Sequence, residues 1–327
     1  MKPLLVHCPV MLVETLEWLV PGSPDAFMLD CTLGEGGHAE AFLSKYPELL
    51  YAGIDADPVI QAKARERLTP FAPRVTFLSG YFDEVLAGFV SDSTSGSVAG
   101  ARLADGSIRK PDLVLFDLGI SMHHFALSGL GFGHGKDEFL DMRLSPDASR
   151  SASDIVNRDR EEELARIIFE YGEERYSRRI AKAIVDARRM SPVTTTARLA
   201  DVVASAVPAT YRNGRFHCAT RTFQALRIAV NDELGRAERG IRAAASLLAP
   251  GGRIAVISFH SLEDRISKNV FRNLALASKE AGIGDGCRFT ILTRKPLEPT
   301  QDEARRNPPS RSAKLRVLEL TVKGGGS

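Results

Sequence analysis

The run from Phe27 to His38, FMLDCTLGEGGH, constrains the fold of this chain more than any other segment. Phe27 to Cys31 is a short apolar stretch containing a carboxylate near its end, the pattern of a buried strand. Gly34, Gly36 and Gly37 follow as a tight loop, and Ala39 to Ser44 predict the first turns of a helix. A strand, a glycine loop and a helix start make a nucleotide-binding corner, because glycines let the backbone come close to a ligand. A second strand, Leu50 to Ile54, ends at Asp55. That acid lies about 20 residues beyond the glycines, the offset at which a carboxylate holds the ribose hydroxyls of an adenosine. Without the acids, the glycines fit an ordinary strand–helix turn equally well.

The spacing discriminates between adenosine cofactors. A dinucleotide site reads G-x-G-x-x-G and seats a pyrophosphate on the helix N-terminus. Here Asp30 precedes Gly34, Gly36 and Gly37. A carboxylate there repels a pyrophosphate but can pair with the ammonium of a methionine moiety, so S-adenosylmethionine is the expected cofactor rather than NAD. A nicotinamide-dependent oxidoreductase is the alternative that the glycine spacing and Asp30 argue against.

Strand-like runs alternate with helical segments through the first part of the chain. Arg74–Ser79 reads as a third strand and Pro111–Leu118 as a fourth, ending at Asp117. Arg253–Ser258, Arg288–Leu292 and Leu315–Thr321 bring the count to about seven. This alternation predicts an α/β fold with a doubly wound, mostly parallel sheet. Gly88–Lys110, rich in Ser, Gly and Ala, reads as a loop excursion or weak hairpin. Between Met122 and Arg215 the apolar period becomes helical, with Leu164, Ile167, Ile168 and Tyr171 on one face and Tyr176, Ile180, Ala183, Ile184 and Ala187 on the next. Thr196 is read as the cap of a third helix, which Pro208 stops. The expected organisation is a discontinuous core, 1–121 with 216–327, and an inserted all-α domain, 122–215. The end, 324–327, is set aside as a tail or scar.

With 43 basic and 41 acidic side chains, the chain is no polycation, so any nucleic-acid surface must be local. Arg178, Arg179, Lys182, Arg188 and Arg189 oppose the apolar face of one predicted helix, and Arg212, Arg215, Arg221 and Arg227 follow. Such a run is a solvated surface or a phosphate-contacting one, and its continuation favours the second. Four separated cysteines make no C-x-x-C pair, which fits a reducing cytoplasm and argues against zinc. No stretch of 18 apolar residues or signal-peptide pattern is present, so no membrane association is expected.

Ligands of open α/β sheets sit beyond the carboxyl ends of the strands, where Asp30, Asp55 and Asp117 should converge. DLGIS, from Asp117 to Ser121, stands where amino-group methyltransferases carry an (Asp/Asn)-Pro-Pro-(Tyr/Phe) loop. The exocyclic amine of a base is a poor nucleophile, its lone pair being delocalised into the ring. Its methylation needs a hydrogen-bond acceptor and alignment with the sulfonium methyl, but no metal and no covalent nucleophile. Asp117 is the leading candidate for orienting amine or cofactor; capping a turn is its ordinary alternative. His260, after the strand ending at Ser258, should face the same rim.

Further motifs extend from end to end: HCPVML from His7, LDMR from Leu140, YGEER from Tyr171, TRTFQALR from Thr220, ISFHSLEDR from Ile257, TRKPL from Thr293 and NPPSRSAKL from Asn307. With DCTLGEGGH and DLGIS, they make the chain resemble the RsmH/MraW family of 16S rRNA cytosine-N4 methyltransferases along nearly its whole length. The resemblance implies a Rossmann-like class I methyltransferase core with a helical insert, acting on 16S rRNA within the small ribosomal subunit. Carried over by position, the cofactor contacts fall on Gly36, Gly37, His38, Asp55, Phe82 and Asp117, beside Asp30 and Gly34. The stretch that usually contains Ser-Ser-Pro-Gln reads SMHH here, which puts His124 at the Gln position. Asp117, Ser121 and His260 are the catalytic candidates. Arg143, Arg178, Arg179, Lys182, Arg221, Gln224 and Arg227 are the RNA candidates, although Arg143 beside Asp141 also fits a structural salt bridge. A non-catalytic ribosome-assembly factor is the remaining alternative, and the oligomeric state, a homodimer included, stays open.

Overall fold

The structure, a computed structural model, describes residues 9–92, 100–103, 106–120, 128–145, 148–214, 217–281 and 286–322. Its strands are β1 (Phe27–Asp30), β2 (Leu50–Asp55), β3 (Val75–Ser79), β4 (Ala101–Arg102), β5 (Ile108–Arg109), β6 (Leu113–Asp117), β7 (Arg253–Ser258), β8 (Arg288–Ile291) and β9 (Lys314–Thr321). Seven form one sheet in the order β3-β2-β1-β6-β7-β9-β8, while β4 and β5 pair as a small antiparallel hairpin within the Ser/Gly-rich excursion. The five strands from β3 to β7 run parallel, and β9 runs antiparallel to both β7 and β8.

The central strands read as unbroken apolar runs because both faces of the sheet are covered. Phe27, Leu29, Val114, Phe116, Ile254 and Val256 join one core cluster, and the alternating Met28, Leu113, Leu115, Ala255 and Ile257 join the other. Helix Pro58–Arg67 starts at Asp57, whose carboxylate accepts from the Val59 and Ile60 amides. Cys31, Cys218 and Cys287 are buried free thiols, whereas Cys8 and the 324–327 tail lie outside the described residues. No described helix is long and apolar enough to cross a membrane.

The chain divides into two compact units, Met1–Gly119 with Leu234–Ser327, and Ile120–Glu233. The second contains helices Ala152–Arg158, Glu161–Glu170, Ser177–Met190, Thr196–Ala206, Ala209–Arg212 and Thr220–Asn231. Its return point lies beyond residue 215, the expected boundary. Helix Thr220–Asn231 places Phe223, Ala225 and Leu226 in the core of the helical unit, and Asn231 donates to Met142 O and accepts from Leu144 N. The expected cap is also displaced by one residue. The side chain of Thr195 accepts from Arg198 N, whereas Thr196 is buried inside the helix, donating to Lys136 O and accepting from Glu138 N.

Leu226 is fully buried in the helical core. Leu226→Ala is expected to destabilise this unit by about 2–5 kcal/mol. Amide exchange should accelerate in helices Glu161–Glu170 and Ser177–Met190 while that of β6 and β7 stays unchanged.

Candidate active site

Parallel strands deliver their carboxyl ends to one side of a sheet, and three neighbours, β2, β1 and β6, each end on an aspartate. The chain order reverses between β1 and β6, which makes this edge the switch point where open α/β sheets bind ligands.

The three aspartates differ in how completely they are bonded. Asp55 Oδ2 accepts from Gly34 N at 2.9 Å and Oδ1 from Asp57 N at 2.8 Å, so this carboxylate ties the glycine loop to the end of β2. Asp30 is 1% exposed; its oxygens accept from Tyr51 Oη at 2.7 Å and Thr32 N at 3.0 Å. Burial pushes its pKa up to about 6 against these two bonds. Asp117 receives its backbone position from Thr32, whose Oγ1 accepts from Asp117 N at 2.6 Å. Its side chain keeps a fifth of its surface, and Oδ2 lies 3.7 Å from His38 Nδ1. Oδ1 is buried with no hydrogen-bond partner. Burial, reinforced by the charges of Asp30 and Glu263, raises the Asp117 pKa well above the ordinary carboxylate value.

The loop between them has a defined shape. Gly34 and Gly36 adopt left-handed backbone at φ 54° and 79°, a region that side chains rarely enter. A Cβ on Gly37 would meet Pro9 Cγ at 2.7 Å, so the chain before the first helix packs directly on the loop. His38, on helix Gly37–Lys45, is buried; its Nε2 lies 3.1 Å from Val10 O, which sets that nitrogen as the donor and leaves Nδ1 toward Asp117. Phe82 opens helix Phe82–Asp92 and packs edge-on against Phe116 at 5.4 Å, over Gly240.

His260 follows β7, the neighbour of β6. Its Nε2 lies 3.2 Å from Oε1 of the buried Glu263, and Oε2 of that residue accepts from Phe259 N at 2.7 Å. Ser121 and His124 lie outside the described residues.

In the helical unit the candidate RNA residues separate into two groups. Arg143 is bound to Asp141 through two hydrogen bonds of 2.7 and 2.9 Å, and Arg227 to Glu233 through bonds of 2.8 and 2.9 Å. Gln224 Nε2 donates to Tyr171 O, and Lys182 pairs with Asp186. Arg178, Arg179 and Arg221 are exposed, and Arg221 donates to Glu173 O. Arg188 instead ties two helices together by donating to Val156 O and Asp159 O.

Sequence reasoning missed Tyr51, Thr32 and Val10 as supports of the site. Thr32 is two residues from Asp30 and is legible as a local turn residue, but Tyr51 and Val10 come from other segments and carry no local signal.

The set of carboxylates suits a ligand with a positive centre. A buried, unpartnered carboxylate oxygen lies beside a second carboxylate whose proton affinity is raised by burial, close to a glycine loop with left-handed backbone. A cation there would relieve a charge penalty that the protein does not relieve itself. The sequence model of the MraW methylase family matches residues 4–321. The chain belongs to the MraW methylase family. It is 48% identical over 319 residues to the Ribosomal RNA small subunit methyltransferase H of Treponema denticola, covering 96% of both chains. It is 44% identical over 320 residues to the proteins of the same name from Heliobacterium mobile and Geobacter sulfurreducens, covering 96% of this chain and 98% of each of those. Family membership makes this strand-end cluster the candidate methyl-transfer site.

Asp30 supplies a pH test. Between 3.8 and about 6 the folded protein keeps a proton on Asp30 that the unfolded chain has released, so stability falls as pH rises through that window. Asp30→Asn removes the titration. The stability of the wild type relative to this variant is expected to drop by about 2 kcal/mol from pH 4 to pH 7, read from urea midpoints.

Proposed function

We propose that this protein transfers a methyl group from S-adenosylmethionine to the exocyclic N4 of one cytidine in the decoding centre of 16S rRNA. The reading takes the transfer as an in-line displacement without a metal or covalent intermediate. The observation that carries it is the unpartnered Oδ1 of Asp117 at the switch point of a methylase-family sheet. The rRNA substrate is supported by the shared name of the relatives, Ribosomal RNA small subunit methyltransferase H. The choice of cytidine N4 rests on the family resemblance carried by the motifs along the whole chain.

In this reading Asp30, Gly34, Gly36, Gly37, His38, Asp55, Phe82, Asp117 and His124 hold the cofactor. Bound S-adenosylmethionine supplies an electrophilic methyl group on a positive sulfonium. Asp55 positions the loop through Gly34 N and has acceptor capacity left for ribose hydroxyls. Asp30 contributes charge from beneath the loop, and positive charge nearby favours the ionised forms of Asp30 and Asp117. Ionised Asp117 then accepts an N–H of the cytosine amine at Oδ1. This holds the nitrogen in line and receives the proton that N4 loses. His38 Nδ1 lies 3.7 Å from the other oxygen of Asp117 and attracts it when the imidazole carries both protons. Ser121 and His260 complete the catalytic set.

Arg143, Arg178, Arg179, Lys182, Arg221, Gln224 and Arg227 contact RNA in this reading, which makes binding salt-sensitive. The target cytosine leaves its stack to reach the methyl group, since a stacked, paired base is inaccessible. The substrate is 16S rRNA within the small ribosomal subunit, and the protein works in the cytoplasm.

The decisive experiment is transfer of labelled methyl to small subunits lacking the modification, followed by nucleoside analysis. N4-methylcytidine at a single position is expected, and Asp117→Ala should weaken cofactor binding and, at saturating cofactor, still lower kcat by about 10²–10³-fold. Label in another nucleoside overturns the target. No label despite tight cofactor binding favours the assembly-factor reading.

A further inference from the structure

The YGEER segment, Tyr171 to Arg175, is long and specific, yet none of the cofactor or catalytic assignments uses it. In the helical unit it forms the joint between helices Glu161–Glu170 and Ser177–Met190. A Cβ on Gly172 would lie 2.6 Å from both Arg221 O and Ile168 O, so only glycine lets this turn pack against helix Thr220–Asn231. Glu173 takes left-handed backbone at φ 48°, and its carbonyl accepts from Arg221 Nη1 at 2.7 Å. Glu174 is fully buried; its oxygens accept from Tyr176 N at 2.8 Å and from Tyr211 Oη. A buried carboxylate thereby locks two tyrosines from separate segments into one arrangement.

That arrangement is an arginine–tyrosine stack. The Tyr176 and Tyr211 rings meet edge to face at 5.0 Å. The Arg175 guanidinium sits 4.8 Å from the Tyr176 centroid and 5.0 Å from that of Tyr211, and Arg179 sits 5.8 Å from Tyr176. Arg175, Arg179 and Arg221 are all exposed, and none forms an ion pair with a carboxylate among the described residues. Elsewhere in the unit Arg143, Arg158, Arg166, Lys182, Arg189 and Arg227 are each paired with a carboxylate. The exposed Arg160, Arg178 and Arg212 have no carboxylate partner among the described residues, but no aromatic ring beneath them there either. Burial and the hydrogen bond to Glu174 push the Tyr211 pKa up to about 12, so the ring stays neutral among the arginines.

Uncompensated guanidinium charge interleaved with oriented aromatic rings is complementary to a chain of phosphates and bases. Protein partners with acidic surfaces match the charge but make no use of the stacked planes. We propose that Arg175, Tyr176, Arg179, Tyr211 and Arg221 form a docking surface for single-stranded RNA. A base stacks on the exposed plane of Arg175 and the adjoining tyrosine edge, and phosphates pair with Arg179 and Arg221. That the RNA is ribosomal rests on the function proposed above; the stacking surface itself does not.

The test uses the full chain and a short fluorescein-labelled single-stranded RNA of mixed sequence, followed by anisotropy over a salt series. Arg175→Ala combined with Arg179→Ala is expected to weaken binding by about 10- to 100-fold and to lower the salt slope by about 1–2. Arg158→Ala, which removes an exposed arginine paired with Asp154, should leave binding unchanged. Arg175→Lys, which keeps the charge but loses the plane, should restore the salt slope and less than half of the lost binding energy. Amide exchange of helices Glu161–Glu170 and Ser177–Met190 at the wild-type rate verifies that the helical unit of each variant is folded. Unchanged RNA affinity in the double variant overturns the proposal, as does an equal loss in Arg158→Ala. Displacement of RNA by polyglutamate as readily as by unlabelled RNA would instead identify an acidic-protein surface. A wild type that binds RNA through these residues yet methylates nothing leaves the docking surface standing and removes the proposed reaction.

Discussion

Three parallel strands that each end on an aspartate bring like charges together in a place with little water, and much of the sheet unit's local structure answers that problem. Asp55 is held by two backbone amides, Asp30 by one phenol and one amide, while Asp117 keeps an oxygen with no partner. The supports come from β2, from the loop after β1 and from the chain before the first helix. A charged group buried in a sheet is tolerated only where hydrogen bonds replace lost water, so the graded satisfaction has a direction. It leaves the strongest unmet demand at Asp117, where a ligand can meet it.

The helical unit solves a related problem at its joints. Helices cannot turn without exposing backbone groups, and a buried turn must satisfy them. Glu174, Asn231 and Thr196 are buried polar residues that do this work at three separate joints. At one of them the carboxylate also orients Tyr211, so a requirement of packing and the shape of an exposed surface share one residue. Other arginines that appear equivalent in sequence are absorbed by the architecture, Arg188 onto backbone carbonyls and Arg143 onto Asp141.

The strands of the sheet were legible because covering both faces demands apolar residues at every position, and such runs stand out against amphipathic helices. The glycine loop and its aspartates were legible for the same local reason. The helical insert was recognisable from its period, yet its end was misplaced. Helix Thr220–Asn231 has the amphipathic pattern of a helix in either unit, and nothing in the pattern says which core its Phe223 and Leu226 enter. The cap at Thr195 was misread as Thr196 because two threonines in succession offer the same hydroxyl, and only the buried contacts with Lys136 and Glu138 tell them apart.

Sequence by itself determined the elements, their alternation, the placement of acids at strand ends and the family to which the chain belongs, since these depend on residue order and short-range periodicity. Tertiary structure decided the strand order that makes β1 and β6 neighbours, which carboxylate oxygen is left unpartnered, and which arginines stay free of carboxylates. Those outcomes depend on partners far away along the chain, such as Tyr51 for Asp30 and Glu174 for Tyr211, that meet only when burial forces every polar group to find a bond.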